Sequence, residues 1–206
     1  AAGDNICGVI RGSSVNHGGH SKGLTVPNQK AQESIFRDVL SKSGVGPEQV
    51  SYIEAHGTGT PIGDPIEANA IGNVYGKSAT GRKDPLYIGS VKTHIGHLEA
   101  ASGICGMLKV LLSFRHQTIP RSRNYTNANS SIPFENLGLQ VVKDSLDWKN
   151  NTITKIAGIN SFGFGGTNAH ILVESPPNSS SNLNHSSGFV PLLLPMSAKN
   201  EKSLIK

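Results

Sequence analysis

Two histidines that close apolar runs are the residues in this sequence best placed to do chemistry. The first is His56, in Glu54-Ala55-His56-Gly57-Thr58-Gly59-Thr60, directly after the apolar run Val50 to Ile53. The glycines keep the backbone bare where the imidazole emerges, so the loop is expected to hold His56 over a cavity. The hydroxyls of Thr58 and Thr60 are placed to hydrogen-bond an extended ligand lying across that loop. Taken alone, such a loop reads equally well as a solvated surface turn. A second histidine of the same design changes the balance: Tyr87-Ile88-Gly89-Ser90-Val91-Lys92-Thr93-His94-Ile95-Gly96-His97 is again a short apolar strand running into a polar turn. A third turn, Asn160-Ser161-Phe162-Gly163-Phe164-Gly165-Gly166-Thr167-Asn168, follows an apolar run from Lys155 to Ile159. Backbone amides in a turn so stripped of side chains can donate to an oxyanion.

In this order and spacing, the stretches EAHGTGT, KTHIGH and NSFGFGGTNAH resemble the C-terminal half of a β-ketoacyl synthase. The likeness is strongest to the ketosynthase of type I polyketide synthases and animal-type fatty acid synthases, and it covers about Ala1 to Glu174. The resemblance implies an α/β, thiolase-like layered fold made of two related halves, of which this chain is the C-terminal half only. It also implies an acyltransferase chemistry. An acyl group sits on a cysteine of the first half, a malonyl-type thioester on a carrier loses carbon dioxide, and the resulting carbanion attacks the acyl-cysteine.

Matched position by position, the resemblance makes His56 and His97 the catalytic pair that stabilises the enolate oxygen. Lys92 becomes the lysine that holds a carboxylate or tunes the second histidine. Thr58 and Thr60 correspond to residues that hold the phosphopantetheine arm. Phe164, with Gly165 and Gly166, falls in the Gly-rich loop whose backbone completes the oxyanion hole while the ring gates entry. The implied cofactor is 4'-phosphopantetheine carried by a partner, with none attached to this chain. The implied partners are an acyl carrier protein or domain, the N-terminal ketosynthase half, an adjoining acyltransferase domain, and a second copy in a homodimer.

Two departures stand out. His94 replaces an Asn usual in relatives, and no Asp-Thr-Ala-Cys-Ser-type stretch occurs. Neither Cys7 nor Cys105 lies in a strand-to-helix turn that would present a thiolate, so this chain is expected to be incomplete and inactive alone. The competing reading is a non-catalytic remnant serving as a dimerisation or carrier-docking surface. A thiolase using free acyl-CoA is disfavoured, because the pantetheine-type loop adjoins a megasynthase-like linker.

Composition narrows the field. With 206 residues, 24 of them glycine, and only 16% charged residues, a loop-rich α/β layer fits better than a coiled coil or a disordered tail. The two cysteines supply no disulfide framework and no zinc spacing, which points to a reducing, cytoplasmic setting. No run reaches the about 18 apolar residues of a membrane span, and no signal-peptide pattern opens the chain. The net charge of +5 comes from scattered residues, which argues against nucleic acid. A basic surface including Arg115, Arg121 and Arg123 suits an acidic carrier protein. The missing initial Met suits an excised piece. His17 and His20 have metal-like spacing, but with no completing ligand nearby they read as a solvated or substrate-side loop.

The elements that must position these residues alternate as strand and helix. A buried strand is predicted from Asp4 to Arg11 before a turn at Gly12-Ser13-Ser14. An amphipathic helix follows over Asn28 to Ser43, capped by Asn28 and stopped by Gly44. A strand over Val50 to Ala55 leads to the His56 loop. Asp64-Pro65-Ile66-Glu67 reads as a helix start, with Asp64 and Glu67 explained by capping. A strand over Leu86 to Gly89 precedes a helix from Leu98 to about Phe114, small at its start for close packing and buried all round from Met107 to Leu112. Residues 117–137 read as an irregular connector, followed by strands over Leu139 to Val142, Lys155 to Ile159 and Ala169 to Glu174. The resemblance makes residues 1–174 the ketosynthase half; residues 175–190 read as a Ser/Asn-rich linker, and 191–206 resemble the start of a ketosynthase-to-acyltransferase linker region.

Overall fold

The computed structural model describes residues 6–19, 23, 26–148, 155–177 and 200. In chain order its elements are β1 (Val9–His17), α1 (Gln29–Ser43), β2 (Val50–Glu54), α2 (Gly63–Tyr75), α3 (Lys77–Thr80), β3 (Leu86–Gly89), α4 (Lys92–Ile95), α5 (Ser102–His116), β4 (Thr118–Ile119), α6 (Phe134–Leu137), β5 (Leu139–Val141), β6 (Leu146–Asp147), β7 (Ile156–Phe162) and β8 (Thr167–Glu174). Short 3-10 turns occupy Pro47–Gln49 and Glu99–Ala101.

Six strands make one mixed sheet in the order β1-β8-β7-β2-β3-β5, and β4 pairs with β6 apart from it. Strands β7, β2, β3 and β5 are parallel, while β8 and β1 add on antiparallel. This arrangement puts the carboxyl ends of β7, β2 and β3 side by side at one sheet edge, where ligands of parallel sheets collect. The three loops singled out in the sequence follow these three strands, so the topology alone gathers them.

Alternation along the strands then divides the core in two. On one face α1 and α2 set Ile35, Phe36, Val39, Ile71 and Val74 against Ile53, Leu86, Ile156 and Leu172. On the other face α5 sets Val110 and Phe114 against Tyr52, Ala157, Ile159 and Val173, with Trp148 closing the side. Asn28 caps α1 by accepting the Ala31 N–H at 3.3 Å, and Gly44 ends it in the left-handed region at φ 66°. The small residues at the start of α5 bring it close to the sheet. A side chain at Gly106 would meet Glu54 Cγ at 3.1 Å, and one at Gly103 would meet Ser161 Oγ at 3.2 Å.

Several expectations are corrected. The first strand does not stop at Arg11 and is not buried. It runs through Gly12-Ser13-Ser14 to His17 as the outermost strand, with Ile10 59% and Val15 68% exposed. Pairing with β8 along its length, through a register shift after Ile10, outweighs the weak strand propensity of Gly and Ser there. The helix expected from Leu98 begins as the 3-10 turn over Glu99–Ala101 and becomes α-helical only at Ser102, while the one-turn α4 precedes it unforeseen. Its later half is not buried all round, since Leu108 and Leu112 are each more than half exposed. Among the described residues the packed side of α5 meets the sheet, β4 and Trp148. The turn expected over 160–168 is shorter, because Asn160, Ser161 and Phe162 belong to β7. The 117–137 connector contains β4 and α6. Nearly all of the two linker segments, and His20, lie outside the described residues. No helix among those residues is long and apolar enough to cross a membrane.

Candidate active site

His56 leaves the end of β2 in a loop whose shape glycine permits. Gly57 has φ +49°, and a side chain there would meet Ser90 Cβ at 2.8 Å. The loop is tied down by Glu67 on the first turns of α2, whose carboxylate accepts the His56 N–H at 2.8 Å and the Gly57 N–H at 2.9 Å. Asn160 on β7 donates to the same carboxylate at 2.8 Å. Glu67 is therefore not a helix cap, which corrects the sequence reading. Asp64 is not one either: its carboxylate accepts the Gly59 N–H at 3.0 Å and holds the far side of the same loop. Burial pushes both carboxyls up, and the amide donors to Glu67 oppose the effect. The His56 ring is fixed at its other end by the Phe162 N–H, which donates to Nδ1 at 3.3 Å. With Nδ1 an acceptor, the ring proton sits on Nε2.

His97 is set by a similar device. Its Nδ1 accepts the Glu99 N–H at 2.8 Å and the Ser102 hydroxyl at 3.0 Å, so its proton also sits on Nε2. Glu99 adopts φ 49°, a costly conformation for a residue with a side chain, and in it the amide reaches the imidazole. The turn between β3 and α4 is anchored by Glu54, the last residue of β2, which accepts the Val91 N–H. Glu54 is 2% exposed and is balanced by Lys109 of α5 at 2.8 Å, with the Tyr52 hydroxyl bridging the two. One buried carboxylate thus holds each histidine loop.

The two imidazoles come together, with ring centroids 5.5 Å apart and planes at 83°. Both line a cavity of about 690 Å³, together with Thr58, Thr60, Phe162, Phe164, Gly165 and Gly166 among others. Burial first, then the Lys92 and His97 charges, pushes His56 down to about 4, so it is a neutral donor at neutral pH. Lys92 opens α4 half-buried and does not line the cavity. Burial pushes its ammonium down, while the Glu67 and Glu54 carboxylates push it back up. The Thr58 and Thr60 hydroxyls lie 3.5 Å apart, and Thr60 also accepts the Gly63 N–H that opens α2. In the Gly-rich turn the amides of Gly163 and Gly166 bond within the turn, and Phe164 is 73% exposed at the mouth. Phe162 is 9% exposed and packs against both Phe36 and His56.

The structure adds residues that sequence reasoning missed or explained away: Glu54, Glu67, Ser102, Asn160, Gln32 and His17. The carboxylate at the end of β2 was the available signal, since a charged residue closing a buried strand demands a partner. Gln32 lines the cavity at 1% exposed, and its Oε1 has no partner among the described residues. Such an acceptor fits a ligand that brings an N–H or O–H donor. His17 accepts the Gly19 N–H on Nδ1 and donates through Nε2 to the Gly165 carbonyl at 2.9 Å, fastening the Gly-rich turn to β1. His94 bonds the Thr93 hydroxyl at 3.1 Å and faces a groove beside α5, away from the cavity. Neither cysteine lines the cavity.

Residues 7–126 match the family model "Beta-ketoacyl synthase, C-terminal domain", and residues 128–206 match "Ketoacyl-synthetase C-terminal extension". The chain is 48% identical over 172 residues to a phenolphthiocerol/phthiocerol polyketide synthase of Mycobacterium tuberculosis, covering 84% of this chain and 9% of that protein. It is 44% identical over 212 residues to a hybrid polyketide–nonribosomal peptide synthetase of Aspergillus niger, covering 98% of this chain and 5% of that one. Among solved structures, the ketosynthase from module 6 of the bacillaene synthase of Bacillus subtilis 168 matches with TM-score 0.81 and 41% identity, covering 84% of this chain and 32% of that one. An oxazolomycin ketosynthase domain of Streptomyces albus matches with TM-score 0.82 and 32% identity, covering 98% and 35%. The chain therefore spans a small fraction of its curated relatives and about a third of the solved ketosynthases. On these matches the chain belongs to the β-ketoacyl synthase family, as its C-terminal domain, and has the thiolase-like fold.

Proposed function

We propose that this chain supplies the two-histidine half of a decarboxylative Claisen condensing site. The observation that carries the reading is the pair His56 and His97: two imidazoles 5.5 Å apart in one cavity, each with Nδ1 occupied as an acceptor and Nε2–H left to donate. When a malonyl-type thioester loses carbon dioxide, the electrons of the broken C–C bond move onto the thioester oxygen as an enolate. Two N–H donors in a site half closed to water stabilise that charge as it develops. The enolate carbon then attacks an acyl-cysteine thioester, forms the new C–C bond and expels the thiolate. That cysteine comes from the preceding half, as neither thiol of this chain reaches the cavity.

The substrate arrives on a 4'-phosphopantetheine arm of an acyl carrier protein or domain. The arm suits the site: its amides bring the donors that Gln32 Oε1 lacks, and Thr58 and Thr60 offer hydroxyls along the cavity wall. Phe164 and the amides of the Gly-rich turn stand at the entrance. Lys92 holds a positive field near the histidines and is assigned to tuning them. Arg115, Arg121 and Arg123 are exposed at the end of α5 and just after it, where they suit an acidic carrier.

The deciding experiment joins this chain to a complete N-terminal half and measures malonyl-carrier decarboxylation and condensation. Loss of both with His56→Ala and His97→Ala, in folded protein, supports the reading, and full retention overturns it. The exposed apolar stripe of α5 favours a second reading, an inactive surface for assembly. That reading is preferred if every intact form assembles but none decarboxylates.

A further inference from the structure

We propose that His170 is a positioning residue of this site, acting on His56 through Asn160 and Glu67; the inference rests on the condensing role proposed for His56. His170 is 0% exposed on β8, outside the lining of the cavity, and both ring nitrogens are engaged. Nδ1 meets Asn160 Oδ1 at 2.7 Å and Nε2 meets the Tyr75 hydroxyl at 2.8 Å.

Donor and acceptor logic fixes every proton in the chain of contacts. Asn160 gives its Nδ2–H to the Glu67 carboxylate, so its Oδ1 faces His170 as an acceptor. His170 must therefore carry its proton on Nδ1, which leaves Nε2 to accept from the Tyr75 O–H. Burial pushes the His170 imidazole down to about 3, so this neutral tautomer persists throughout the physiological range. The contacts run from Tyr75 to His170, Asn160, Glu67 and the backbone N–H groups of His56 and Gly57 without an unpaired member.

The relay touches α2 twice, at Tyr75 and at Glu67. Glu67 and Tyr75 are eight residues apart on α2 and face the same side. The relay thus clamps α2 to β7 and β8 at two points and sets the height of the Glu67 carboxylate above the sheet. Asn160 also lies two residues before Phe162, whose N–H fixes the His56 ring. One stretch of β7 therefore controls both ends of His56. Room for the imidazole is made by Gly158, where a side chain would meet His170 Cε1 at 2.8 Å. Packing alone would be served by any apolar residue of this size. The imidazole is distinguished by donating and accepting in line.

The test uses the intact synthase that carries this chain, with malonyl-carrier decarboxylation as readout and His56→Ala as reference. His170→Leu keeps the volume but orphans Asn160 Oδ1. His170→Asn returns an amide donor near the place of Nδ1, and Tyr75→Phe deletes a single oxygen. Displacement of a catalytic group by a fraction of an ångström predicts a kcat loss of about 10–100-fold for His170→Leu with KM within about twofold. His170→Asn is expected to recover kcat to within about fivefold of wild type, even where its thermal midpoint falls as far as that of the Leu variant. Should His170→Leu fail to fold, Tyr75→Phe carries the test, with an expected kcat loss of about 3–10-fold at unchanged KM. Equal activity of the Leu and Asn variants, an unchanged kcat in Tyr75→Phe, or kcat losses that merely follow the folded fraction overturn the relay. Loss of activity in His56→Ala alongside any of these results leaves the condensing role standing. Full activity in His56→Ala overturns both.

Discussion

An imidazole can lend its Nε2–H to a developing oxyanion only while it is neutral and its other nitrogen is held. His56 and His97 meet the second condition through the Phe162 and Glu99 amides, and burial secures the first for His56. Removing one such donor from a preorganised oxyanion site is expected to cost about 10²–10³ in kcat, so His56→Ala and His97→Ala should each show that loss in a single-turnover decarboxylation assay. The same burial leaves a mark on stability. In the fold His56 titrates at about 4 and His170 at about 3, both below the ordinary 6.5. As the pH falls below 6.5 the unfolded chain takes up protons that these folded sites refuse until far lower, so their stabilisation is full above that pH and is withdrawn beneath it. Glu67, pushed up by burial, works in the opposite sense as it protonates. Unfolding free energies from denaturant titrations between pH 7.5 and 5 should fall in the wild type by an amount on the order of a few kcal/mol at the lower end. They should fall less steeply in His170→Asn, and an equal slope in the two would contradict the shift assigned to His170.

At the scale of elements, α5 is held against the sheet by the Lys109–Glu54 pair, which also anchors the Val91 turn before His97. Lys109→Met leaves Glu54 as a lone buried charge, and a loss of about 3–5 kcal/mol in chemical denaturation is expected. Pairing it with Glu54→Gln should restore part of that, and simple addition of the two losses would show that the residues act independently. The three long helices and the parallel strands were legible in the sequence, because apolar spacing and the Asn28 and Gly44 signals report local physics, while the one-turn α3, α4 and α6 are too short to carry such a pattern. The three site loops were legible because glycine and histidine directly follow apolar runs. What escaped was long-range. β1 reads as a strand ending in a Gly-Ser turn until β8 is known to lie beside it. Asp64 and Glu67 fit a helix-start pattern so well that nothing local reveals their donors, which lie in the loop before the helix and on β7. Asn160 and His170 look like ordinary turn and strand residues until strand pairing brings them face to face.

For the molecule as a whole, the open feature is the outer stripe of α5, where Ile104, Leu108 and Leu112 stand more than half exposed beside Ile95 and Leu98. On the function proposed above, this stripe is the face that meets the N-terminal half of the synthase domain. Leu108→Asp should then abolish condensation in the intact protein while leaving the secondary structure of this chain unchanged by circular dichroism. Normal activity would place the stripe elsewhere. Charge reversal at Arg115, Arg121 and Arg123 should raise KM for carrier-bound substrate by about tenfold and remove its salt dependence, with KM for a small-molecule thioester unaffected.

The interlocking of α2, β7 and β8 around Glu67 also bears on how such synthases are recombined. A splice between two related sequences placed anywhere from residue 56 to residue 170 would separate the histidine loop, its carboxylate or the amide and imidazole behind it into different parents. Junctions outside that interval exchange the whole assembly intact, and chimaeras built there inherit a histidine already aimed.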